Sequence, residues 1–111
     1  MLIPVSMLFL ASQLVIAVAD DVPQFDIRRG CKIDSASAFD PNAGMSGTIK
    51  RCADDEQRAK DQLQAHWSEF ADGDRIACTG LTTSDAATPP SYVELQTCLQ
   101  DRQFARKMPK E

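Results

Sequence analysis

The chain has 111 residues and carries 12 Lys and Arg against 16 Asp and Glu, a net charge of −4. That length holds one small domain and excludes a multidomain enzyme, a solenoid of several repeats or a polytopic membrane protein. An acidic balance without a clustered basic face also argues against nucleic acid as a partner, because phosphate neutralisation needs such a face.

Positions 1–19 contain no charged side chain, so all 28 charges fall in the other 92 residues. The apolar run ends in Ala17-Val18-Ala19, the small-x-small pattern that signal peptidase reads, and Asp20-Asp21 follows. The sequence therefore predicts a signal peptide over 1–19, cut between Ala19 and Asp20. A membrane anchor is the weaker reading. Ser12 and Gln13 interrupt the run, and it falls short of the ~20 apolar residues that span a bilayer. No Lys or Arg precedes the apolar core, which leaves open a start upstream of Met1. Arg28-Arg29 lies behind the core and is no twin-arginine signal.

Four cysteines follow, Cys31, Cys52, Cys78 and Cys98. An even count in a short exported chain reads as two disulfides. Zinc needs closely paired ligands, whereas the gaps here are 20, 25 and 19 residues and there is a single histidine, His66. A domain of this size buries too little apolar surface to outweigh its ordering entropy comfortably. Each bridge closing a loop of about twenty residues adds on the order of 3 kcal/mol.

Residues 20–47 read as irregular, with turn chemistry in Asp40-Pro41-Asn42-Ala43-Gly44 and Ser46-Gly47. From Thr48 to about Phe70 the apolar residues recur at three- and four-residue steps: Ile49, Cys52, Ala53, Ala59, Leu63, Trp67 and Phe70. That is one face of a long amphipathic helix, ended by Gly73. Asp54 with Arg58 and Glu56 with Lys60 form acid-before-base pairs on its charged side. A short helical segment is predicted over Asp74 to Thr79, then a loop over Gly80 to Pro90. Ser91-Tyr92-Val93-Glu94 fits a capping box, Ser91 bonding forward to the Glu94 amide and Glu94 reaching back. The last helix runs to about Arg106 with Tyr92, Leu95, Cys98, Leu99 and Arg102 on one side, and Pro109 stops it in the tail at 108–111. The expected fold is mainly α: a small three-helix domain over 48–107 with an irregular amino-terminal segment, held by two disulfides.

Reach narrows the pairing. Cys52 sits near the start of the long helix, and Phe70 is eighteen residues or ~27 Å further on. Cys78 comes only partly back along that length, while a bridge needs Cα atoms within about 7 Å. Cys52–Cys78, and with it Cys31–Cys98, is therefore disfavoured. Of the two schemes left, Cys31–Cys52 with Cys78–Cys98 is preferred, because it ties the amino segment to the long helix and the short helix to the last.

The series Trp67-Ser68-x-Phe70, Asp74-Arg75-x-x-Cys78 and Pro90-Ser91-Tyr92-Val93-Glu94-Leu95-x-Thr97-Cys98-Leu99 is similar to a group of small exported four-cysteine proteins of Gram-negative bacteria. The resemblance covers about residues 50–107, and the Pro-Ser-Tyr-Val-Glu stretch is its specific part. Those proteins have a glycine-rich approach to that stretch, where this chain has Ser84-Asp-Ala-Ala-Thr-Pro. The resemblance implies export and a disulfide-held helical domain, and it transfers no catalytic residue.

Chemistry is sparse. His66 has Glu69 three residues on, the one-dimensional pattern of a base oriented by a carboxylate, but a helix-surface pair has the same pattern. Glu69, Asp72 and Asp74 surround Gly73 and are candidates for a weak cation site, against the plain reading of solvated acids at a helix turn. The stretch from Asp40 fails as an EF-hand, because its twelfth residue is Arg51 rather than Glu. Oxidised cysteines exclude a thiolate nucleophile, and there is no C-x-x-C redox motif, phosphate loop or dinucleotide fingerprint. Trp67 and Tyr92 read as core residues that, if exposed beside His66 and Glu69, would form the candidate partner surface.

The expectation is a non-enzymatic exported module of the cell envelope, without metal or cofactor, binding a protein or small molecule. It would meet the membrane only through its signal peptide. The alternative is a small hydrolase or metal-dependent enzyme using His66 with Glu69 or the Asp72/Asp74 pair.

Overall fold

The computed structural model describes residues 21–37 and 41–109. The predicted signal peptide and its cut between Ala19 and Asp20 lie outside the described residues, as does Asp40. Among the described residues there are four α-helices and no strand: α1 (Ile27–Ser37), α2 (Gly44–His66), α3 (Asp72–Thr83) and α4 (Tyr92–Lys107), with one 3-10 turn at Trp67–Glu69.

The long helix forms where its apolar period predicts. Ala59, Leu63 and Trp67 recur every four residues and are buried, so they line one face. It begins at Gly44 rather than Thr48. Gly44 has φ +72, a left-handed conformation that a Cβ would strain, and Thr48 Oγ1 donates to its carbonyl at 2.8 Å. The helix ends before Gly73, contrary to expectation. The chain tightens at Trp67–Glu69, Phe70 and Ala71 are extended, and Gly73 lies inside the first turn of α3. The short helix is also longer than Asp74 to Thr79, running twelve residues.

Residues 20–47, read as irregular, contain α1. Its inward positions are Gly30, Cys31 and Ser35, all buried, so the helix has a buried face with almost no aliphatic signal. Asp26 starts it: the carboxylate accepts the Arg29 N–H at 3.1 Å and the carbonyl accepts the Gly30 N–H at 3.0 Å. A Cβ on Gly30 would stand 3.5 Å from the Pro89 Cβ, so α1 lies directly against the Pro89-Pro90 loop.

Three contacts fix how α3 and α4 run. Asp74 bonds Arg106, Cys78 is bridged to Cys98, and Thr82 bonds Ser91. Ascending positions on one helix meet descending positions on the other, so the pair is antiparallel. Between α2 and α4 the order is the same on both: Glu56 meets Ser91 and Tyr92, and Gln62 meets Gln96. These helices are parallel. α2, α3 and α4 thus form the predicted three-helix unit, with α1 packed on α2 as a fourth.

Both disulfides form in the preferred scheme, Cys31–Cys52 with Cα atoms 5.6 Å apart and Cys78–Cys98 with 5.7 Å. The first joins α1 to α2 and the second joins α3 to α4. Val22, Ala59, Leu63, Trp67, Cys78, Tyr92, Leu95 and Leu99 make one core, with Phe25, Ile27 and Phe70 packed at its edge. The charged side of α2 pairs differently from the sequence reading. Asp54 takes Lys50 at 2.9 Å and Asp55 takes Arg58 at 3.6 Å, while Lys60 donates to Gln24 at 3.2 Å. Those exposed pairs contribute only tenths of a kcal/mol, about 0.3–0.5 each.

Candidate functional site

Of the four candidate surface residues, two are on the surface and two are not. His66 and Glu69 are exposed and in contact with each other. Trp67 and Tyr92 are buried, as their reading as core residues anticipates, so they add nothing to a surface beside His66 and Glu69. Trp67 continues the Leu63 face of α2 into the core. The Arg75 guanidinium covers its ring at 5.8 Å and donates to its carbonyl at 3.4 Å, while the indole Nε1 and Arg75 Nε have no partner among the described residues. Tyr92 is wholly enclosed and anchors the segment that precedes α1. Its hydroxyl donates to the Pro23 carbonyl at 2.7 Å and accepts the Phe25 N–H at 2.8 Å, and the Phe25 ring lies 4.6 Å from its own.

The residues that share a depression with His66 come from α4. A groove of about 380 Å³ runs between the carboxyl-terminal part of α2 and α4. Gln62 lines it from α2, and Gln96, Gln100 and Gln103 line it from α4. The His66–Glu69 pair closes one side, and Leu63 and Phe70 form the apolar floor. Gln62 sits one turn before His66, while Gln96, Gln100 and Gln103 are spaced four and three apart. Each set therefore occupies one helix face, and the parallel packing of α2 and α4 brings the two faces together. Gln96 Nε2 donates to Gln62 Oε1 at 2.5 Å. The side-chain amides of Gln100 and Gln103 carry no bond to another described residue.

The acids around Gly73 diverge instead of converging. Asp74 is buried at 4% exposure, and Arg106 binds it through both oxygens at 2.7 and 2.9 Å. Arg102 stands 3.7 Å away. The Arg106 hydrogen bonds hold the Asp74 carboxyl below its ordinary pKa; burial opposes this, and the Arg106 and Arg102 charges assist it. Asp72 is exposed and pairs with Arg75, and Glu69 pairs with His66. The three carboxylates thus serve three different partners, so the candidate cation cluster is not formed. Among the described residues no group of three or more His, Cys, Asp or Glu is placed to hold a metal ion. The Asp72/Asp74 pair also does not line the His66 groove.

Sequence reasoning missed Glu56. It occupies the buried face of α2 between Cys52 and Ala59, and its carboxylate receives the first turn of α4. Ser91 Oγ donates to it at 2.5 Å, the Tyr92 N–H at 2.6 Å and the Val93 N–H at 3.4 Å. The two N–H groups are among those a helix leaves without intrahelical acceptors at its amino end, where its dipole also favours an anion. Ser91 caps α4 as expected, accepting the Glu94 N–H at 3.3 Å. The return half of the capping box is replaced: the Ser91 N–H donates to Thr82 Oγ1 at 3.3 Å instead of to Glu94. One signal of Glu56 was legible, an acid standing where the helical period calls for an apolar residue.

Among the described residues no helix is long and apolar enough to cross a membrane. Comparison with protein-family models, curated proteins and solved structures finds no match for this chain.

Proposed function

We propose that the chain is a small exported protein of the Gram-negative type it resembles, acting in the cell envelope as a non-enzymatic binding module. The observation that carries this reading is the pair of disulfides, each locking two neighbouring helices. Such bonds persist in oxidising compartments and are reduced in the cytosol. The apolar, uncharged run at 1–19 with its Ala17-Val18-Ala19 end supports the same address. The groove between α2 and α4 supports binding over catalysis. Amides dominate its lining, and among the described residues His66 and Glu69, which contact each other, are the only lining groups able to act as nucleophile or base.

The hydrolase alternative has one observation in its favour, the contact between His66 and Glu69. Both side chains are 60% exposed, so no dry site strengthens their electrostatics. Expression of the full chain in a Gram-negative host, followed by osmotic release of the periplasm, tests the address. The shortened chain is expected in the released fraction, and Ala19→Leu is expected to accumulate uncut. A full-length chain held in the cytosol, indifferent to Ala19→Leu, overturns it.

A further inference from the structure

We infer that the groove between α2 and α4 binds a neutral polyhydroxylated ligand, a short stretch of glycan. The inference rests on the reading of the chain as an exported binding module and names its ligand class.

The argument is one of donor and acceptor supply. Each glutamine amide offers two N–H donors and an acceptor oxygen on one rigid plane. A sugar ring presents neighbouring hydroxyls that each donate and accept, and an N-acetyl sugar adds an amide of its own. The four glutamines meet that pattern from both walls. Gln62 and Gln96 bond each other and are held in place, while Gln100 and Gln103 keep their full hydrogen-bonding capacity. The Glu69 carboxylate, fixed by His66, adds an acceptor to which a hydroxyl donates more strongly than to a neutral oxygen. Half-buried Phe70 supplies an apolar surface for the C–H face of a pyranose.

Charge excludes other ligands. Among the described residues the only ionisable groups lining the groove are His66 and Glu69, and they contact each other. No guanidinium or ammonium stands there to hold a phosphate or carboxylate, and no unpaired acid to hold a cation. Peptide recognition normally draws on a sheet edge, an apolar groove, an aromatic-lined slot or an arginine cluster. Among the described residues no sheet edge or arginine cluster lines the groove, and its apolar lining is confined to Leu63 and Phe70.

The test uses the processed, oxidised protein labelled with ¹⁵N, its mass checked beforehand so that a fault of export or oxidation is seen separately. N-acetylglucosamine trimer and glucose trimer are each titrated in, and the glutamine side-chain NH2 resonances are followed. Either trimer is expected to shift the amides of Gln62, Gln96, Gln100 and Gln103 with saturation in the millimolar range. Gln100→Ala with Gln103→Ala is expected to weaken this at least tenfold, because two side-chain hydrogen-bonding groups of the groove are lost. A near-native circular dichroism spectrum shows that the variant is folded. Absence of shifts with both trimers, shifts elsewhere on the surface, shifts unchanged in the double variant, or a response only to an uncharged peptide would each overturn the inference.

Discussion

Glu56 accepts the backbone N–H of Tyr92 at 2.6 Å across the interface between α2 and α4, so a carboxylate of one helix caps another. The contact joins residues 36 apart in sequence. It also explains how a buried acid is tolerated: its oxygens are satisfied by Ser91 Oγ and two main-chain N–H groups. Glu56→Ala leaves those donors without their acceptor and is expected to cost about 2–4 kcal/mol, whereas Glu56→Gln keeps an acceptor and is expected to lose about 1 kcal/mol. Urea midpoints at unchanged slope measure both. Equal losses would show that the charge, not the capping, matters.

Tyr92 has a separate role in holding the amino segment. Tyr92→Phe removes the hydroxyl that bonds both Pro23 and Phe25 while leaving the ring in the core. The expected cost is about 1–2 kcal/mol. Amide exchange of Phe25 is expected to accelerate more than that of Leu99, at the centre of α4. A uniform acceleration would mean that the hydroxyl supports the whole fold.

Acid stability should depend on Asp74. Its pKa is lowered in the folded state, chiefly by the Arg106 hydrogen bonds, so its stabilisation is complete above the unfolded aspartate value near 4. It is lost as pH falls through the lower folded value. Asp85 is shifted the same way, first by the Ala87 N–H and then by Thr88. Thermal midpoints between about pH 2 and 6 should therefore fall on the acid side, and Asp74→Asn should flatten that fall. An unchanged acid limb in Asp74→Asn would refute the assignment.

The two disulfides close loops of nearly equal length, with sequence separations of 21 and 20. Restriction of the unfolded chain then contributes about 3 kcal/mol from each. Cys78 differs in belonging to the central core, whereas Cys31 is buried outside that cluster. Replacing Cys78 and Cys98 by Ala is therefore expected to cost about 1 kcal/mol more than replacing Cys31 and Cys52. Denaturant titration of the two double variants reads the difference directly.

What could be read from the chain follows from how local each feature is. The α2 face at Ala59, Leu63 and Trp67 and the Ser91 cap are patterns within a few residues, and both appear as expected. Helix length removes only one of the three disulfide schemes, and the choice between the other two comes from which segments each would tie together. α1 was not legible, since its inward face is Gly30, Cys31 and Ser35, and close packing of small residues leaves no hydrophobic period. Glu56 and Asp74 were read as solvated charges because their partners, Tyr92 and Arg106, lie more than thirty residues away. The groove shows the same limit. The spacing of Gln96, Gln100 and Gln103 is visible in sequence, but only the parallel packing of α2 and α4 sets them opposite Gln62 and His66.

The most direct test of the exported, disulfide-held scaffold is an intact mass of the protein recovered from the periplasm or medium without reductant. The expected species lacks residues 1–19 and weighs four hydrogens less than its reduced form, for the bridges Cys31–Cys52 and Cys78–Cys98. A chain that keeps those nineteen residues and carries four free thiols would contradict both the address and the scaffold.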